Sequence, residues 1–584
     1  MAKTDLTFLH APSVYDFRRR ATLWGPISDV VPSTPIYDMY PIGFAALSDY
    51  LERHGFRTQI ANLAVRMLRS DRFDAARYVS RLRARAFGID LHWLPHAQGA
   101  LEVARIVREQ HPGAPILFGG FSATYYHQEL IRYPQVDYVV RGDSTEEPLR
   151  QLMACLREGR APVDVPNLTW KDGAGEVHVN PQTYTPANLD HIDPGFRQMV
   201  RTVMRTRDLV SCIPFGHWLD YPIMATIMVR GCTLHCAVCG GCAEGHRVMS
   251  GRKRPAFRDP EQLAQDVREA RRISRGPIFV LGDIRLAGME YARRFLRAVQ
   301  GVRGPFMLEF FWPVDRGYAE ELAAAMPNFI VEFSPDSHDP AVRRALNKSY
   351  DNDQIVATVR NCLDVGAKRF DLFFMIGLPQ QTAASALETV DFCEQTWQAI
   401  NGDRRFIPFT APLAPFLDPG SLAFENPAQY GYRIHYQTLE EHRRALLAPT
   451  WKHILSYETR WLDRDTLAAT TYEAGRRLNR LKARYGVASP ELAAETEERI
   501  DRAIALMAQI DELVASRTPA EVEREMLKMK EQIDRANTST VCEKEELDVP
   551  VSWMPFNAWE LAKVGLAEAW KMASRRGESA GQAR

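Results

Sequence analysis

The sequence has no excess of charge of either sign: 73 Lys and Arg stand against 73 Asp and Glu. A chain so balanced carries no global field that would gather nucleic acid or an anionic membrane, so nucleic acid is not expected as a partner. No run approaches the ~18 uninterrupted apolar residues of a membrane span. The opening residues, Met1-Ala2-Lys3-Thr4-Asp5, lack the apolar core of a signal peptide. Nine cysteines in 584 residues do not read as a disulfide framework. Together these absences lead us to expect a reducing, cytoplasmic setting. There is no internal repeat or low-complexity tract. What remains is ordinary globular material, 46% hydrophobic and 25% charged, in a length that suits about three or four domains.

Along the first ~160 residues, short apolar runs alternate with amphipathic stretches. Strands are expected at 6–10, 57–61, 86–91, 115–120 and 136–140. Helices are expected at 40–54, ending at Gly55, and at about 99–110. Such alternation predicts a parallel, doubly wound α/β sheet. Ligands of these sheets bind at the carboxyl ends of strands. Those ends carry Ser13, Asp90-Leu91-His92-Trp93, Gly119-Gly120-Phe121-Ser122 and Gly142-Asp143. The first strand is followed by no Gly-x-Gly-x-x-Gly, which argues against a dinucleotide site.

A Pro-, Asn- and Gly-bearing stretch at 161–215 reads as a linker with a small hairpin. A second strand–helix series follows, with strands expected at 223–229, 278–281, 307–311, 329–333, 370–376 and 405–408. Six such units suggest a partial (β/α)6 barrel over 216–420. Beyond it, 421–584 is expected to be mainly helical, with a charged helical hairpin at 492–535. A terminal amphipathic helix at 553–576 carries Trp553, Trp559 and Trp570. That helix could dock on its own protein or touch a membrane surface peripherally.

Four of the nine cysteines, Cys232, Cys236, Cys239 and Cys242, crowd one segment just after the first strand of the second series. The spacing Cys232-x3-Cys236-x2-Cys239 gathers three thiolates on one loop, and thiolates are soft donors suited to iron–sulfur clusters. A zinc site is the alternative, because Cys242 offers a fourth thiolate at zinc-knuckle spacing from Cys239. Cys242 could equally be a bystander or a buried thiol, and Cys212 is ambiguous in the same way. Cys155, Cys362, Cys393 and Cys542 read as small core or surface residues.

With its flanking strands, this cysteine spacing resembles the signature of the radical S-adenosylmethionine (SAM) superfamily. The resemblance implies a [4Fe–4S] cluster on Cys232, Cys236 and Cys239, with the fourth iron open to chelate SAM. It implies SAM contacts at Gly282-Asp283 after the second barrel strand, at Glu332 and Ser334 on the fourth, and at the Gly377-Leu378-Pro379 turn after the fifth. One position departs: Val238 stands where members usually carry an aromatic before the third cysteine.

A doubly wound domain ahead of such a barrel resembles the cobalamin-binding domain of cobalamin-dependent radical SAM enzymes, the class B methylases and their relatives. The echoes are Tyr40-Pro41-Ile42-Gly43, Phe118-Gly119-Gly120-Phe121-Ser122 and Val139-Val140-Arg141-Gly142-Asp143. On this reading, 1–160 binds cobalamin. Ser13, Asp90, His92, Trp93, Gly119, Gly120, Ser122, Gly142 and Asp143 are the expected cofactor contacts. His92 and Trp93 could equally be ordinary packing at a domain interface. Many cobalamin proteins supply a cobalt-ligating His in Asp-x-His-x-x-Gly after the first strand. Here that loop does not match, and Asp90-Leu91-His92 has Pro95 in place of the glycine. Cobalt without a protein His is therefore expected, with Arg66 or Arg69 able to approach its lower face.

The resemblance implies a methyltransferase acting on an unactivated carbon of a small-molecule or lipid-like substrate, with an electron donor such as flavodoxin or ferredoxin. A cyclase or rearrangement enzyme is the alternative within the family. A non-methylating enzyme with a vestigial domain, or a non-enzymatic cofactor sensor, are the further alternatives.

Overall fold

The structure is a computed structural model that describes residues 4–28, 34–537, 544–547, 549, 551 and 554–581. Cys542, Trp553 and the side chain of Cys212 lie outside that description.

The first sheet contains β1 (Thr4–His10), β2 (Thr58–Asn62), β3 (Ala84–Asp90), β4 (Ile116–Gly119) and β5 (Tyr138–Val140), all parallel. Their order is β2-β1-β3-β4-β5. The chain leaves β1 to one side and then returns to the other as β3. The ends of β1 and β3 therefore flank the point where successive crossovers diverge, which is where a crevice opens in such sheets. The strands are buried on both faces, as their near-continuous apolar runs require. Helices Gly43–Arg53 and Glu146–Glu158 cover one face over Leu6, Phe8 and Leu117. Helix Ala97–Gln110 covers the other over Phe87, Ile89 and Ile116.

The stretch expected as a linker does more than connect. β6 (Leu168–Lys171) and β7 (Val177–Val179) extend the first sheet antiparallel from β5, and helix Phe196–Thr206 packs beside β2 and Gly43–Arg53. The hairpin was legible; its addition to the sheet edge depends on partners far away in sequence.

The second sheet starts with β8 (Met224–Ile227). A short antiparallel ribbon of β9 (Val229–Arg230) and β10 (Ala256–Phe257) follows. The sheet continues through β11 (Ile278–Leu281), β12 (Phe306–Phe310), β13 (Phe329–Asp336), β14 (Arg369–Ile376) and β15 (Phe406–Pro412), in sequential parallel order. This is the expected six-stranded partial barrel. Among the described residues β8 and β15 do not pair.

The remainder is mostly helical, with one ribbon of β16 (Tyr432–Ile434) and β17 (Tyr457–Thr459). Helix Arg464–Arg484 packs on β15, and Pro490–Ser516 packs back on it. The second arm of the hairpin expected at 492–535 is two helices, Pro519–Lys528 and Lys530–Ala536, interrupted at Met529. The terminal helix Ala558–Gly581 docks on Phe196–Thr206 and Pro260–Ile273, leaving Trp559, Leu566 and Trp570 exposed. Cys155, Cys362 and Cys393 are buried. No helix among the described residues is long and apolar enough to cross a membrane.

A candidate cofactor-binding active site between the two sheets

The cysteine loop begins where β9 ends. Gly231 turns the chain at a φ of 93°, and a Cβ there would fall 2.6 Å from Cδ of Arg252. Only a glycine fits both that backbone and that neighbour. Cys232, Cys236 and Cys239 follow on an irregular loop as free thiols. Cys232 Sγ accepts a hydrogen bond from the Leu234 N–H at 3.3 Å. Crowding raises all three thiols. Desolvation pushes Cys236 up to about 11, against a smaller opposing pull from Lys348. Cys239 keeps solvent contact but is pushed up further, by desolvation and then by Asp418. Iron ligation would supply the positive charge that these desolvated thiols lack as thiolates.

Cys242 has a local role. It caps the helix Ala243–Ser250, its Sγ accepting from the Gly245 N–H at 3.4 Å, and it is buried. Zn–S bonds of about 2.3 Å would bring four thiol sulfurs to within ~4 Å of one another. Among the described residues no such set of cysteines lies within 4.8 Å. That spread does not suit a four-thiolate zinc ion.

The barrel residues expected around SAM fall in different positions. Gly282 lies at the mouth of β11, and its N–H donates to Glu309 Oε2 at 2.6 Å. Asp283 is fully buried and committed: both oxygens pair with Arg285, at 2.9 and 2.6 Å, and Oδ2 also accepts from the Phe311 N–H at 2.9 Å. It ties β11 to the turn after β12. Glu309, held only by the Gly282 N–H, and Glu332 are the lumen carboxylates with no cationic partner among the described residues. The register sets Glu309 on β12 beside Glu332 on β13 and Asp371 on β14, one acidic rung across three strands. Desolvation, reinforced by Asp371 and Glu309, pushes Glu332 up to about 8. Desolvation also lifts Asp371 to about 6 against the pull of Arg369, which pairs with it at 2.9 Å. The carbonyl of Ser334 accepts from Lys348, whose ammonium also pairs with Asp336 at 2.5 Å. The turn Gly377-Leu378-Pro379 is held by the Gln381 side chain, and the Gly377 carbonyl accepts from Tyr432 Oη at 2.8 Å. Sequence reasoning missed Glu309 and Asp371. Their signal was a lone acid inside each apolar strand.

The first domain contains a cleft of about 840 Å³, its open mouth included. Its deep part is apolar, a slot between the sheet (Leu6, Phe8, Leu117) and the helices carrying Phe44 and Leu149. Gly88 sets its width: a Cβ there would sit 3.1 Å from the Phe8 ring. A flat, apolar aromatic base fits the lining of such a slot. The mouth brings together Asp90, His92, Gly119, Gly120, Gly142 and Asp143, six of the expected contacts. Ser13, Trp93 and Ser122 do not line it. Ser13 is buried within the loop after β1, and Ser122 lies within the short helix Phe121–Tyr125. Trp93 instead reaches out of its domain to Asp418, its Nε1 donating at 3.4 Å. The other Asp418 oxygen accepts from the Gly240 N–H at 3.1 Å, in the cysteine loop. Arg66 is ion-paired to Asp208 and stacked on Tyr78, and Arg69 is exposed. Arg66 is therefore spent elsewhere.

Two buried Arg–carboxylate pairs join the domains at the mouth. Glu146, 1% exposed, accepts both arms of Arg230 at 2.9 and 2.6 Å. Burial alone would raise this carboxyl; Arg230 brings it down to about 2. Asp143 is not free for a ligand. It pairs with Arg252 at 2.6 and 2.8 Å and with His246 at 3.0 Å, and these partners outweigh its burial and hold it well below the usual carboxylate range. Arg230 stands two residues before Cys232 and itself lines the cleft. The cleft and the cysteine loop are contiguous.

Two family descriptions match the chain: the B12 binding domain over residues 29–151 and the Radical SAM superfamily over 226–393. No curated protein sequence matches it. Among solved structures it is similar to TsrM from Kitasatospora setae, a radical S-adenosylmethionine methyltransferase holding tryptophan substrate and a SAM analog. There the identity is 17%, over 74% of this chain and 79% of that one, with a TM-score of 0.53. A second TsrM structure, with cobalamin and a [4Fe–4S] cluster bound, gives 17%, 74%, 81% and 0.53. Apo OxsB, a cobalamin-dependent S-adenosylmethionine radical enzyme, is 11% identical over 99% of this chain and 81% of that one, with a TM-score of 0.51. At these identities the likeness is one of fold.

Proposed function

We propose that this chain, a member of the cobalamin-dependent radical SAM family, transfers a methyl group to an unactivated carbon of a small molecule. The observation that carries the reading is the shared wall at Arg230. The residue that lines the cobalamin-type cleft and pairs with Glu146 also leads directly into the cluster loop. Two cofactors held there would face one reaction space.

When bound, the cluster and SAM supply a radical that abstracts hydrogen, and cobalamin supplies the methyl group. The chain's own residues hold, orient and enclose. Cys232, Cys236 and Cys239 give three thiolate ligands and leave one iron for SAM. Gly282 and Glu309 offer a backbone edge and a carboxylate beside that loop for an amino group. Glu332, protonated at neutral pH, is available as a hydrogen-bond donor toward the lumen. One rung above, the stacked rings of Phe373 and Phe409, 5.0 Å apart, help keep water out. The tryptophan bound in TsrM supports a small-molecule substrate here as well. Reduction of the cluster calls for a low-potential donor such as flavodoxin or ferredoxin, and bare thiols of this kind suit a reducing cytoplasm.

The test needs no substrate. Protein reconstituted anaerobically with iron, sulfide and hydroxocobalamin, then reduced with SAM present, is expected to form both 5′-deoxyadenosine and S-adenosylhomocysteine. The second product should vanish when cobalamin is omitted. Deoxyadenosine alone would rule out methyl transfer and favour the rearrangement chemistry instead.

A further inference from the structure

The end of β3 carries a group of imidazoles that the fold alone does not require. Asp90, 3% exposed, accepts from His92 Nδ1 at 2.7 Å and from His10 Nδ1 at 2.9 Å. His10 is itself buried, and its Nε2 contacts the Tyr37 carbonyl at 3.2 Å. A carboxylate at one ring nitrogen and a carbonyl at the other place an acceptor at each end of the His10 imidazole.

The consequence falls on His92. With Nδ1 turned to the Asp90 carboxylate, the neutral tautomer that donates there carries its lone pair on Nε2. His92 lines the mouth of the cleft and keeps 30% of its side chain exposed. No hydrogen bond engages its Nε2 among the described residues. The ring is also held in place. His96 lies 4.7 Å from it, centroid to centroid. The Leu91 N–H donates to the Gly119 carbonyl at 2.8 Å, and the Leu91 carbonyl accepts from Ala123 at 3.0 Å. Gly120, at a φ of 115°, packs so closely that a Cβ there would stand 2.5 Å from the His92 Cα.

A neutral imidazole, its Nδ1–H on a buried carboxylate and its Nε2 open, is how proteins present a histidine to a transition metal. No other cleft-lining side chain offers an uncommitted nitrogen: Arg230 is a paired cation, and the rest are apolar, glycine, hydroxyl or acidic. We infer that His92 Nε2 is this protein's donor to the lower axial position of cobalt, held in place by Asp90 and, through it, by His10. The inference rests on the cobalamin reading above and reverses the expectation of cobalt without a protein histidine.

The test reads the cobalt directly. Methylcobalamin is bound to the reconstituted full-length protein and photolysed, giving paramagnetic cob(II)alamin while the cluster stays oxidised and silent. The EPR spectrum is expected to show each high-field cobalt line split into three by one nitrogen. Protein grown on 15N-histidine should show two lines in place of three, and His92→Ala should lose the splitting. A triplet unchanged by the label would assign the ligand to the cofactor's own base and overturn the inference. So would an unsplit spectrum, or splitting that survives in His92→Ala. If the protein retains no cobalamin at all, the cobalamin reading fails first and this inference with it.

Discussion

The cysteine loop and the cleft of the first domain meet at Arg230 but are made of different material. The loop is a short run of sequence. Its donors lie within eight positions of one another, and its chemistry is written in residue type and spacing. The cleft has no such run. Leu6, Gly88, Leu117, Gly142 and Leu149 come from different elements and become a slot only when the parallel sheet and its covering helices assemble. The loop offers reactive groups with little polar support, whereas the cleft is an apolar slot with an ionic rim. A site built on one loop fails when one donor is lost; a site built from packing fails by degrees, as its width or its rim changes.

The sharpest way to break this comparison is at the thiols. Any one of Cys232→Ala, Cys236→Ala or Cys239→Ala should abolish cluster retention and SAM cleavage while cobalamin binding, read from its visible absorption, survives. Cys242→Ala should keep its iron and lose only a helix cap, about 1 kcal/mol of stability. Iron lost from Cys242→Ala to the same degree would erase the distinction between a ligand and a cap.

The rim comes next. Glu146→Gln leaves Arg230 buried opposite a neutral amide, a change that costs about 3–5 kcal/mol in comparable pairs. The folded carboxyl lies below its ordinary value of 4.5, at about 2. Its contribution is therefore complete above pH 4.5 and fades as pH falls toward 2. The difference in denaturation midpoint between wild type and variant should shrink across that window. A constant difference would mean that Glu146 acts through packing and not through charge.

Narrowing the slot should act on one cofactor alone. Gly88→Leu projects into a space where a Cβ already stands 3.1 Å from Phe8. Cobalamin affinity should fall by about a hundredfold, roughly 3 kcal/mol, with iron content unchanged. An unchanged affinity would place the cofactor elsewhere.

The smallest effect is in the lumen. Burial holds Glu332 protonated up to about pH 8, against an ordinary value of 4.5. Its burial therefore costs stability increasingly as pH rises from 4.5 to 8, and the cost then levels off. Glu332→Gln should be neutral at pH 4.5 and more stable than wild type at pH 8, by on the order of 2 kcal/mol once solvent in the lumen is allowed for. Equal melting temperatures at both pH values would contradict the buried-acid account.

Much of this was legible in the sequence because parallel α/β architecture repeats one local pattern. Every expected strand of both sheets is present within a few residues, because apolar runs bounded by Gly and Pro specify them directly. Asp283 shows where such reading stops. Its position after β11 was right, but Arg285, two residues on, takes both oxygens, and no spacing rule reveals that pairing. Asp143 likewise follows a strand end as a ligand residue would, yet Arg252, more than a hundred residues away, claims it. The row formed by Glu309, Glu332 and Asp371 depends on register between strands, which single-strand periodicity cannot show.

The most direct test of the central claim, that one chain holds a SAM-cleaving cluster and cobalamin side by side, is iron and cobalt quantified in a single sample. The protein would be purified anaerobically after reconstitution with iron, sulfide and hydroxocobalamin, and then freed of unbound cofactor. The account predicts about four iron and one cobalt per chain, with 5′-deoxyadenosine formed on reduction in the presence of SAM. Iron and SAM cleavage with no retained cobalt would contradict it.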